Sequence, residues 1–250
     1  MKFWNDVRNA IRNSDIVIEV IDARMPELTR NHEIERMVGD KKLIFAINKS
    51  DLIPKDSAEK IKNKLGVNDA LFVSGKKNLG MSVLKKKIMM EAKRMGIDEP
   101  RVSFVGYPNV GKSSIINALA KRAKAMTSVK PGTTRGIQWI KAGSIRVLDS
   151  PGVIPIEDKD IIRLVLIGAK SASKVKEPYK IVYRIIDMFK ETNVEAFESF
   201  YGVKIEGREN DEIIEDIGKK KGYLLKGGIV DENRAYTAII NDWREGKLSS

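Results

Sequence analysis

The chain has 250 residues, 42% of them apolar and 32% charged, and no cysteine; this excludes whole-chain disorder, a disulfide framework and thiolate metal sites, and predicts one large domain with a smaller one. No apolar run approaches the ~18–20 residues of a membrane-spanning helix, and the N-terminal MKFWNDVRNAIRNSD lacks the separate apolar core of a signal peptide, so a cytoplasmic protein without membrane contact is expected. The net charge of +12 is concentrated: residues 70–148 hold 16 basic and 3 acidic side chains, whereas residues 171–250 hold 14 and 15, which favours a polyanionic partner such as RNA for the first part.

In chain order, Ile16–Ile21 is a β-branched strand that ends at the loop Asp22-Ala23-Arg24-Met25-Pro26. A short helical stretch over Glu33–Val38 precedes a second strand, Leu43–Ile47, a helix near Ser57–Leu65 and a third strand, Ala70–Val73. Met81–Met95 has the spacing of an amphipathic helix, with Val83, Leu84, Ile88 and Ala92 inward and Lys85, Lys86, Lys87, Lys93 and Arg94 outward. A fourth strand, Val102–Val105, leads through a Gly-rich turn into a helix from Lys112 to about Ala120, and strands around 137–141 and 145–148 follow. β-Branched strands alternating with helices predict an α/β fold with a mainly parallel sheet covered on both faces. From Ile161 onward the spacing is helical throughout, in segments punctuated by glycines. The expected division is a domain over residues 1–170 and a small all-helical domain over 171–250.

Gly106-Tyr107-Pro108-Asn109-Val110-Gly111-Lys112-Ser113, followed by Ser114, fits the phosphate-binding pattern G-x-x-x-x-G-K-[ST] between a strand and a helix. Its glycines let backbone N–H groups curl around phosphate oxygens at a positive helix end. Lys112 is expected to reach the β- and γ-phosphates, and the Ser113 hydroxyl to take a Mg²⁺ position. Asp149-Ser150-Pro151-Gly152 just past a strand suits the loop where Asp149 polarises Mg²⁺-bound water and the Gly152 N–H meets the γ-phosphate. Between them, Pro131-Gly132-Thr133-Thr134-Arg135 offers Thr133 and Thr134, the latter as a further Mg²⁺ ligand. Upstream, Asn48-Lys49-Ser50-Asp51 follows a strand. Asp51 can accept both hydrogen bonds of a guanine N1–H and exocyclic amine, which adenine does not offer. The Lys49 stem would pack on the base, and Asn48 would tie loops together. Ser74-Gly75-Lys76 follows the next strand and is placed for the guanine O6.

These five elements resemble the guanine-nucleotide set of the Ras-like GTPases over about Asp15 to Pro155. The order differs: N-K-x-D and S-G-K precede the phosphate loop, as in a circularly permuted chain, and Met81–Pro100 is long enough to join the old termini. With the Asp22–Pro26 loop and Gly106–Ser114, the order resembles the YlqF family, circularly permuted GTPases acting in assembly of the large ribosomal subunit. That resemblance implies GTP and GDP as ligands, a monomer with an RNA-contacting helical domain after the G domain, and a large subunit or its rRNA as partner. Asn109 also resembles the Asn with which potassium-activated GTPases hold a K⁺ beside the β–γ bridge, the alternative being an Asn suited to a tight turn; it joins Lys112, Thr134 and Gly152 as catalytic candidates.

Two departures bear on turnover. Val153 follows Gly152 where Ras-like enzymes carry a water-orienting Gln; Val has no polar group for that task, so slow intrinsic hydrolysis, raised by K⁺ or by ribosomal particles, is expected. The N-terminal His of bacterial YlqF members has no counterpart, and the only histidine, His32, reads as a surface or capping residue. The alternatives are a GTPase acting in tRNA modification or another RNA process, and a nucleotide-stabilised RNA binder with little turnover. With its net charge of −1, the helical tail would have to meet RNA through local clusters such as Lys219-Lys220-Lys221, or through shape.

Overall fold

A computed structural model describes residues 2–67, 69–124, 139–149, 152, 154, 160–171 and 175–248. The chain divides into two compact units, Met1–Asp51 with Lys55–Asp158, and Leu52–Pro54 with Lys159–Ser250.

The first unit is built on a six-stranded sheet in the order β3-β2-β1-β4-β6-β5, where β1 is Ile16–Asp22, β2 Lys42–Asn48, β3 Ala70–Phe72, β4 Arg101–Val105, β5 Ile140–Ala142 and β6 Ile145–Asp149. All pairings are parallel except β5 with β6. β1 is buried along its whole length, as its continuous β-branched run requires of a strand covered on both faces. The covering helices are α1 (Lys2–Arg12), α2 (Pro26–Thr29), α3 (His32–Val38), α4 (Ser57–Leu65), α5 (Met81–Arg94) and α6 (Lys112–Lys124). α3 starts where Asn31 accepts the Glu33 and Ile34 N–H groups, so Asn31 rather than His32 is the cap.

Helix α1 is an element beyond those expected from the sequence. Trp4, Val7 and Ile11 lie on one face and pack with Val17, Ile34, Val38 and Val105, and the Trp4 indole donates to the Ile154 carbonyl at 3.1 Å. The inward line of α5 is also shifted from expectation. Met81, Leu84, Ile88, Glu91 and Ala92 are buried, while Val83 is 55% exposed. Adjacent residues on a helix point about 100° apart, so Val83 and Leu84 do not share the core.

Among the described residues of the second unit the regular elements are helices, α7 (Ile161–Leu166), α8 (Pro178–Thr192), α9 (Val194–Tyr201), α10 (Asn210–Lys220) and α11 (Glu232–Glu245), with one isolated antiparallel bridge between Leu224 and Val230. Asp160, Asn193 and Asp231 cap α7, α9 and α11 with side-chain oxygens. Its core gathers Ile181, Ile185, Phe189, Phe197, Ile213, Ile217, Ile239 and Trp243. Trp243 donates to the Leu166 carbonyl at 3.2 Å, which ties α7 to this unit and puts the division before α7 rather than at residues 170 and 171. No described helix is long and apolar enough to cross a membrane.

Candidate functional site

From β1 the chain steps outward to β2 and β3, then returns through α5 to place β4 on the other side of β1. The connections leaving β1 and β4 therefore run in opposite directions. Such a switch point opens a crevice at the carboxyl ends of the strands, where α/β sheets bind ligands. The loops after β1, β2, β3, β4 and β6 all emerge at this edge.

The loop after β4 carries the phosphate-binding pattern into α6. Gly111 has φ +96, and a Cβ there would collide with the Asn48 amide, so only glycine suits the close approach. Asn109 also has positive φ, +59. Val110 is buried, Pro108 half-buried, and Asn109, Ser113 and Ser114 are exposed. Lys112 is only 7% exposed, its ammonium donating to the carbonyls of Gly106 at 3.2 Å and Tyr107 at 2.9 Å. The lysine thus lies folded over its own loop, above the first turn of α6. Gly152 meets this loop directly: a Cβ on it would fall 2.6 Å from the Pro108 Cα and 3.1 Å from the Lys112 Nζ. Thr133, Thr134, Val153 and the side chain of Asp149 lie outside the described residues. Backbone pairing of Phe104 with Asp149 nevertheless sets the end of β6 beside the start of the phosphate loop.

Asn48 joins the two halves of the site. Its Nδ2 donates to the Val110 carbonyl at 2.7 Å, and its Oδ1 accepts the Gly75 N–H at 3.0 Å. One buried amide thereby braces the phosphate loop against the S-G-K loop. Ser74 is buried and its Oγ accepts the Lys77 N–H, whereas Lys76 is exposed. Asp51 lies half-buried in the single 3₁₀ turn Ser50–Leu52.

Lys49, with φ +62, sends its ammonium to Asp22 Oδ2 at 2.6 Å. Asp22 ends β1, is fully buried, and also receives Arg24 through Nε at 3.0 Å and NH2 at 2.8 Å. Burial alone would push the Asp22 carboxyl up, but Arg24 and Lys49 outweigh it and hold the group well below the usual carboxylate range. Burial draws the Lys49 ammonium down from its ordinary value, and Asp22 opposes that.

The described candidates Asn48, Val110, Gly111, Lys112, Gly75, Pro108 and Gly152 thus come together around one crevice. Sequence reasoning missed the role of Asp22: its partner Lys49 lies 27 residues away, and a β-branched strand ending in Asp carries no local signal for it. His32 is 72% exposed and faces Glu35 at 3.2 Å. For a hard divalent cation, the described residues offer oxygen chemistry at the Ser113 hydroxyl on the first turn of α6. Among the described residues no cluster of His, Cys, Asp and Glu could hold a metal by itself.

A family model described as a 50S ribosome-binding GTPase matches residues 101–223, starting at β4 and the phosphate loop. The chain is 41% identical over 246 residues to an uncharacterized GTP-binding protein of Methanocaldococcus jannaschii, covering 97% of this chain and 65% of that protein. It is 33% identical over 261 residues to nucleolar GTP-binding protein 2 of Saccharomyces cerevisiae, covering 99% of this chain and 52% of that protein. The chain thus spans about half to two thirds of the length of the curated relatives it matches. Among solved structures, a GDP-bound YlqF aligns with TM-score 0.67 at 26% identity over 97% of this chain and 95% of that one. The GNP-bound YlqF of T. maritima aligns with TM-score 0.64 at 26% identity over 100% and 96%.

Proposed function

We propose, from the membership of this chain in the YlqF-like circularly permuted GTPases, that it binds GTP and Mg²⁺ in the crevice between β1 and β4, hydrolyses GTP to GDP and phosphate, and acts as a switch in assembly of the large ribosomal subunit. The observation that carries the nucleotide reading is the Asn48 brace. It unites a purine-side loop and a phosphate-side loop that stand in permuted order along the chain.

In this reading Asp51 accepts the guanine edge, the Lys49 stem packs on the base, and Ser74, Gly75 and Lys76 form the O6 side. The N–H groups of residues 108–114 wrap the phosphates. Water attacks the γ-phosphorus, the bond to the β–γ bridging oxygen breaks, and GDP leaves with that electron pair. Lys112 and Gly152 meet the charge that develops on the oxygens, with Thr133 and Thr134 closing the γ side. Mg²⁺ neutralises phosphate charge when bound, and Ser113, Thr134 and, through water, Asp149 fit it by their oxygen chemistry. A K⁺ at Asn109 would add charge beside the bridging oxygen. Val153 offers no polar group to the water, so turnover is expected to be slow until K⁺ or a ribosomal particle is present.

The test is cosedimentation with purified ribosomal subunits in potassium buffer, with GDP or a non-hydrolysable GTP analogue. Comigration with the large subunit only in the GTP-like state is expected. Guanine-nucleotide binding without comigration in either state would overturn the ribosomal part alone. Replacing K⁺ by Na⁺ in a hydrolysis assay is expected to lower the rate.

A further inference from the structure

Asp22 is a fully buried acid with two basic partners and no counterpart among the five guanine-nucleotide elements. Its bonds divide by purpose. The loop that follows is held by groups other than the lysine: the Asp22 N–H donates to Thr29 Oγ at 3.0 Å, Thr29 Oγ donates to the Met25 carbonyl at 2.9 Å, and the Arg24 N–H and guanidinium close on the carboxylate. The bond from Lys49 at 2.6 Å comes from the loop that leaves β2. Because Asp22 pairs with Asn48 in the parallel ladder, Lys49 stands one residue beyond the register and in left-handed backbone, φ +62. A non-glycine residue holds that conformation only where its surroundings fix it. Lys49 is therefore anchored at both ends, by its backbone beside Asn48 and by its ammonium on Asp22. Its four-carbon stem, otherwise one of the more mobile in proteins, is stretched between two fixed points at the edge of the crevice.

We propose that Asp22 is a positioning residue for the purine: by pinning the Lys49 ammonium it holds the lysine stem as the platform on which the base packs. Arg24, 5% exposed in its side chain, bonds both carboxylate oxygens and shares Oδ2 with Lys49, so the carboxylate stays ionised while it serves Lys49. The inference rests on the guanine-nucleotide reading. It extends that reading to a residue on β1, the strand next to the phosphate-loop strand.

A platform acts on the face of the base, not on its edge and not on the phosphates, and this sets the test. Binding of GDP, IDP and inorganic pyrophosphate to the full chain is measured for wild type, Asp22→Asn, Lys49→Met and the double variant, below the lowest melting temperature of the set. Asp22→Asn is expected to weaken GDP and IDP by the same factor, about tenfold, and to change pyrophosphate affinity by less than about twofold. In the Lys49→Met background the Asp22 substitution is expected to add no further loss. Equal weakening of GDP and pyrophosphate, unchanged GDP affinity despite a lower melting temperature, or a full Asp22 effect in the absence of Lys49 would each show a purely structural acid and overturn the inference. If Asp22→Asn does not fold, Lys49→Met decides alone: it keeps an apolar stem but loses the tether, so retained GDP affinity overturns the proposal. Wild type that binds pyrophosphate but not GDP would sink the guanine reading itself, and this inference with it.

Discussion

Glu19 lies in the middle of β1 with no exposure. Its Oε1 accepts the Asn31 N–H at 2.7 Å, while its Oε2 and the Asn31 Nδ2 have no partner among the described residues. Burial raises its carboxyl to about 8, with Glu35 adding to the rise and Asn31 and Arg30 opposing it. Between the ordinary value near 4.5 and the folded value near 8, the folded chain holds a proton that the unfolded chain has lost. Its contribution to stability is therefore complete below about 4.5, declines by roughly 1.4 kcal/mol per pH unit across the window, and levels off above about 8. Glu19→Gln keeps the acceptor for Asn31 and removes the titration. From about pH 5 to pH 8 the melting temperature is expected to fall for wild type and to stay nearly level for the variant; parallel profiles would show that Glu19 does not titrate in this window. At Asp51 the expectation concerns the ligand. An amide in place of the carboxylate presents a donor as well as an acceptor, which suits the C2 oxygen of xanthine and not the C2 amine of guanine. Asp51→Asn should therefore lose GDP affinity by more than about a hundredfold and gain it for XDP, read by nucleotide competition.

At the scale of elements, α5 separates lysines that look equivalent in sequence. Lys87 bonds to Asp69 at 2.7 Å and Glu91 at 2.9 Å, in a group that also contains Lys42 and Arg94. Lys86 and Lys93, seven residues apart, are exposed on the outer face. Lys87→Glu would bring a third carboxylate to Asp69 and Glu91 and is expected to lower stability by about 1–2 kcal/mol. Reversal of Lys86 and Lys93 to Glu should change stability by less than about 0.5 kcal/mol and weaken association with the large subunit if this face meets rRNA. Denaturation and cosedimentation of the two variants separate the outcomes. The strand-and-helix alternation is readable because β-branched runs and turn residues are local signals. The stretch of α1 also carries a legible line, Trp4, Val7 and Ile11 at helical spacing, but a test for a leader segment alone passes over it. What no local pattern discloses is pairing across the chain. The cluster Lys219-Lys220-Lys221 reads as a basic patch, yet Lys219 pairs with Glu215, Lys220 donates to the Gly202 carbonyl, and Lys221 lies over the rings of Phe200 and Tyr201. In the candidate site, the motif residues are visible by spacing, whereas the Asn48 brace and the Asp22–Lys49 pair depend on strand register.

For the molecule as a whole, the sheet order dictates an order of assembly. β1 meets β2 at a separation of 26 residues and β4 at a separation of 86. Closing the shorter loop costs less chain entropy, and β1, β2 and β3 are all made before β4 exists. In pulse-labelled refolding, amides of β2 are expected to gain protection before those of β4 and β6, and simultaneous protection would refute this. On a translating ribosome the consequence is directional. The half proposed to meet the purine is laid down first, and the phosphate loop arrives later to complete the brace at Asn48. On the proposed reading a nucleotide can add its binding energy to the fold only once α6 has emerged, so the permuted order moves ligand capture from the start of this unit's synthesis to its later part, with only β5, β6 and the segment after them still to follow.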